Sequence, residues 1–81
     1  MNKSVDMSSV YLLITENLIK FWNLLESHYE VFSEEEVDKL TLCAETIEFH
    51  VNQKNGDKAY EESLYLIHKT QSLLNERNGN E

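Results

Sequence analysis

Apolar residues recur at alternating three- and four-residue steps along most of the chain, the spacing that gathers them on one face of an α-helix. The first stripe is Tyr11, Ile14, Leu18, Phe21 and Leu25. A second is Val37, Leu40, Ala44, Ile47 and Val51. The third is Tyr60, Leu64, Ile67 and Leu74, flanked by Leu66 and Leu73. No proline interrupts them, so the spacing predicts helices over about 9–31, 34–54 and 57–77. No segment alternates with the two-residue period of a strand.

The ends of these segments carry their own chemistry. Ser8 or Ser9 is placed to cap the first helix, and Asp6 adds negative charge near its positive end. In Phe32-Ser33-Glu34-Glu35-Glu36-Val37, Ser33 and Glu36 have the spacing of a capping box. Phe32 and Val37 take the positions of a hydrophobic staple around it, so the second helix is expected to start at Glu34. Lys54 suits the negative end of that helix, and Asn55-Gly56-Asp57 reads as a turn, with Asp57 the cap of the third helix. Long helices joined by short turns run antiparallel to their neighbours. The expected fold is therefore all-α, an antiparallel three-helix bundle with the option of dimerising into a larger one. Residues 1–81 are read as a single helical domain with flexible ends at about 1–7 and 78–81.

Size changes the picture. A chain of 81 residues buries only about 60 to 65% of its unfolded surface, which leaves a thin core. Folds this small often lean on disulfides, metals or a second chain. Cys43 is the lone cysteine, so no intrachain disulfide forms, and a reducing, cytoplasmic setting is expected. The apolar run Val10–Ile14 falls short of the roughly 7 to 15 residues of a signal-peptide core. No run approaches the roughly 20 apolar residues of a membrane span.

Surplus apolar residues supply the functional clue. The first helix adds Leu13, Leu24 and Val31 on one flank, Trp22 and Tyr29 on the other, with Leu12 and Ile19 beyond. Only Glu16, Lys20, Asn23, Ser27 and Glu30 remain as a narrow polar strip. Leu42 and Phe49, seven residues apart, lie roughly half a turn from the core stripe of the second helix, and Tyr65 is similarly placed on the third. Apolar positions turned away from a core are candidates for contact with another chain. The expected partner-binding residues are Leu12, Ile19, Trp22, Leu42, Phe49 and Tyr65.

Charge narrows the class of partner. Fifteen acidic residues against seven basic ones leave a net charge of −8. Seven cations scattered along the chain cannot form the clustered patch that phosphate backbones or anionic membranes need. An acidic surface suits a basic patch on a protein, and Glu34, Glu35 and Asp38 join the expected contact residues on that ground. The same carboxylates also stabilise a helix N-terminus without any partner.

Catalytic and metal-binding constellations are not expected. His28, His50 and His68 fall one to a helix, and no compact zinc-ligand spacing is present. Cys43 and His50 lie about 10 Å apart along a helix axis, too far for a dyad. Two glycines, Gly56 and Gly79, cannot make a phosphate loop. The reading is a small acidic non-enzymatic protein-binding module without a cofactor, a regulator or inhibitor of a larger protein of the bacterial or phage accessory type. Homodimerisation is expected to accompany that role. Two alternatives stand beside it: an acidic nucleic-acid mimic that blocks a DNA- or RNA-binding protein, and an immunity or antitoxin protein.

Overall fold

The computed structural model describes residues 7–78 and consists of α1 (Met7–Ser27), a 3₁₀ turn (Tyr29–Val31), α2 (Glu34–Asn52) and α3 (Gly56–Asn78). The helices pack into an all-α bundle in which α1 and α3 run parallel and α2 runs antiparallel to both. Asp6 and most of the expected loose ends lie outside the described residues. Met7 and Asn78, expected in those ends, are instead the first and last helical residues.

Local chemistry accounts for the boundaries. At the start of α2 the capping box is complete: Ser33 Oγ accepts from the Glu36 N–H at 3.1 Å, and Glu36 Oε1 accepts from the Ser33 N–H at 3.0 Å. The expected first helix is too long. α1 ends at Ser27, His28 leaves helical geometry, and the Val31 N–H reaches back to the His28 carbonyl at 2.9 Å. This tighter turn swings Phe32 into the core, where it is buried. Ser8 and Ser9, expected as caps, lie within α1.

The turn between α2 and α3 also departs from expectation. α2 stops at Asn52, and Lys54 adopts φ 62°, the left-handed conformation that a non-glycine residue occupies at a cost of about 1–2 kcal/mol. The Lys54 N–H donates to the Val51 carbonyl and the Asn55 N–H to the His50 carbonyl, each at 2.9 Å. These two bonds make a Schellman closure of the helix end. Gly56, expected in the turn, opens α3 and is buried. Asp57, expected as cap, sits inside the first turn, and the Asn55 carbonyl accepts the Ala59 N–H at 3.1 Å.

α3 is the central helix. It packs along both α1 and α2, whereas α1 and α2 make only sparse contact with each other. The bundle is therefore asymmetric, with α3 between the other two helices. The core holds Ile14, Phe21 and Leu25 from α1, Phe32, then Leu40, Ala44 and Ile47 from α2, and Ala59, Leu66 and Leu74 from α3. Ser63 and Thr70 are also fully buried, so the inward stripe of α3 is Gly56, Ala59, Ser63, Leu66, Thr70 and Leu74.

That stripe is turned by roughly 70° from the expected one, at about 100° per residue. Leu64 is 42% exposed, and Tyr60 and Ile67 are half-buried. A helix gripped from two sides needs small side chains along its seams, because these let the axes approach. The polar groups among them are satisfied locally: Ser63 Oγ donates to the Tyr60 carbonyl at 2.7 Å and Thr70 Oγ1 to the Leu66 carbonyl at 2.8 Å.

Candidate functional site

With the core filled, several large apolar side chains remain in solvent. Leu12 (60%), Ile19 (54%), Leu42 (62%), Phe49 (56%) and Tyr65 (61%) are all more than half exposed. Trp22 is half-buried, its ring tilted against Phe21 at a centroid distance of 4.8 Å. Ile19 and Trp22 line one groove and Leu42 and Tyr65 another, while Leu12 and Phe49 line neither.

The first groove follows the open seam between α1 and α2 and encloses about 450 Å³. Ile19 and Trp22 line it together with Tyr11, Ile14 and Leu18 from α1 and Val51 from α2. Leu12, two turns before Ile19 on the same flank of α1, lies just outside it. Thr15, Glu48 and Asn52 supply its polar lining. Tyr11, Leu18 and Val51 were legible only as core stripe; they pack against the core and also form this lining.

The second groove, about 260 Å³, runs between α2 and α3 and brings Leu42 and Tyr65 together over Cys43, Thr46, Ile47 and Glu62. Phe49 is two turns beyond Leu42 and meets the His50 ring edge-on at 5.6 Å. His50 Nε2 lies 3.5 Å from Glu62 Oε1, a pairing across α2 and α3 that the sequence did not announce. That oxygen is buried and makes no hydrogen bond, and its approach to His50 is too long to count as one.

The acidic run divides too. Glu34, Glu35 and Asp38 are exposed at the start of α2 and form no ion pair with the described cations. Glu36, between them in sequence, faces the protein. Arg77 of α3 grips its carboxylate through Nη1 at 2.8 Å and Nη2 at 2.6 Å, and Nη1 also reaches the Val31 carbonyl at 3.4 Å. The Arg77 hydrogen bonds, helped by the Ser33 backbone N–H, lower the Glu36 pKa to about 2. Arg77 is the chain's single arginine, and a forked donor beside a capping carboxylate makes a bidentate clamp that a lysine could not.

Among the described residues, no three His, Cys, Asp or Glu side chains come together in a cluster able to hold a metal ion. No described helix is long and apolar enough to cross a membrane. No family model, curated protein or solved structure matches this chain. Both grooves are open and lined mainly by apolar side chains, with one carboxylate each, Glu48 in the first and Glu62 in the second.

Proposed function

We propose that the chain is a small acidic, non-enzymatic binding module that regulates or inhibits a larger protein by docking onto it. The observation that carries this reading is the exposure of Leu12, Ile19, Leu42, Phe49 and Tyr65 around a core that is already complete. Five large apolar side chains on a 9.5 kDa protein exceed what isolated surface residues explain, and Ile19, Leu42 and Tyr65 among them line grooves. A net charge of −8 favours a partner with a basic surface and speeds encounter with it. The lone thiol of Cys43 supports work in a reducing compartment such as the cytoplasm.

The test is the double substitution Leu42→Asp with Phe49→Asp, read by circular dichroism and by capture of a partner on the immobilised protein. Both residues are exposed, so helicity is expected to persist while capture is lost. Unfolding of the variant would return these residues to the core and remove the basis of the reading. Salt separates this from a nucleic-acid mimic, which would lose its partner steeply as salt rises from about 50 to 200 mM. Retention of binding over that range is the outcome expected of an apolar interface.

A further inference from the structure

We infer that the groove between α1 and α2 receives a basic amphipathic helix from a partner protein, completing a four-helix arrangement of which this chain supplies three members. The inference rests on the reading of the chain as a binding module and adds the site and the chemistry of its occupant.

In a four-helix bundle, neighbours on an edge pack closely and helices on a diagonal hardly touch. Here α3 packs on both α1 and α2, while α1 and α2 barely meet, so these two stand as a diagonal pair with α3 at one corner. The groove is the vacant corner opposite. Its wall from Tyr11 to Trp22 spans about 17 Å, three helical turns at 1.5 Å per residue. That length accepts anchors at successive turns of a docked helix, over a floor of Ile14, Leu18 and Val51.

Charge decides between occupants. Glu48 lines the groove, and exposed Glu45 lies one turn before it on the α2 rim. On α1, exposed Glu26 lies one turn beyond Trp22, whereas exposed Glu16 stands about 40° around the helix from Lys20, at about 100° per residue. Lys20 is turned roughly 160° from Trp22 around the helix, at about 100° per residue. Lys54 stands at the groove's end beside Tyr11 and Val51. A second copy of this chain would bring the same carboxylates against these rims, and like charges set face to face oppose association. A helix with lysines or arginines flanking its apolar face meets both walls favourably.

Trp22 is the only tryptophan and lines the groove, so its fluorescence reports docking directly. The probe is a peptide of about 18 leucine and lysine residues in amphipathic helical order, long enough for several turns. Saturable binding with a blue shift of Trp22 emission is expected, and a scrambled peptide of the same composition should produce neither. Glu26→Lys with Glu48→Lys should weaken Kd by about tenfold or more, and Glu61→Lys with Glu76→Lys on α3, the same change in net charge, by less than about twofold. Ile19→Gln, which leaves charge untouched, should also weaken binding.

Equal loss in the two charge-reversed pairs, equal binding of the scrambled peptide, or no binding would overturn the inference. So would light scattering that shows a dimer excluding the peptide. If the peptide fails while capture of a partner still depends on Leu42 and Phe49, only the groove assignment falls. Failure of both removes the binding-module reading as well.

Discussion

The two long seams of α1 differ in how they are closed. Toward α3, α1 meets a stripe of small residues, and Asn17 Nδ2 donates to Ser63 Oγ at 2.9 Å across the join. Toward α2, larger side chains such as Trp22, Tyr11 and Leu18 line an open groove, and among the described residues no side-chain hydrogen bond joins α1 to α2. The contrast shows that apolar content alone does not close an interface. Small side chains and a satisfied polar pair bring the α1–α3 axes together, while bulky ones leave the α1–α2 seam open to a further element.

The strongest way to break this comparison is to empty one seam and not the other. Phe21 is fully buried, so Phe21→Ala should cost about 3–5 kcal/mol in urea unfolding through lost burial and the cavity left behind. Ile19, only two residues earlier but in the open seam, should tolerate Ile19→Gln within about 0.5 kcal/mol. Comparable losses would mean that the seam is closed in solution. Next in size is Ser63→Leu. Added volume at this buried position should force α1 from α3 and cost about 1–3 kcal/mol, with Asn17 deprived of its partner. A neutral effect on the urea midpoint would show that the small-residue stripe is not what sets the approach.

The same stripe explains what was and was not legible in the sequence. For α2, apolar spacing and capping chemistry agreed, and Ser33, Glu36, Leu40, Ala44 and Ile47 stand where the pattern places them. For α3 the pattern pointed to Leu64, because periodicity weighs large side chains and overlooks Ser63 and Thr70. Their hydroxyls bond to their own helix, which lets polar residues fill a core position. Helix ends without glycine or proline were equally silent: nothing at His28 marks the stop of α1, and Lys54 rather than a glycine takes the left-handed position. The exposed apolar residues were legible one by one. The grouping of Ile19 with Trp22 and of Leu42 with Tyr65 was not, since it depends on α3 lying between the other helices.

One end of the open seam is tied, and the smallest predicted effect lies there. Arg77 of α3 holds Glu36 of α2 and reaches the Val31 carbonyl, so it ties α3 to α2 and to the 3₁₀ turn that follows α1. Because the Glu36 pKa falls from its ordinary 4.5 to about 2 on folding, the folded chain binds this proton less readily than the unfolded one. The contribution is therefore fully present above about pH 4.5 and is lost as pH falls toward 2. Exposure and salt screening keep such a pair weak, which ranks it last. Many other carboxylates titrate in the same window, so the informative quantity is a difference between two proteins. Glu36→Gln keeps an oxygen for the Ser33 N–H of the capping box but removes the charge and one of the two acceptors that face Arg77. Urea midpoints should favour the wild-type chain above about pH 4.5, and the gap should close as pH approaches 2. A gap that stays constant across that range would show that the Arg77 clamp does not form, leaving the α1–α2 seam tied at that end by the 28–33 turn alone.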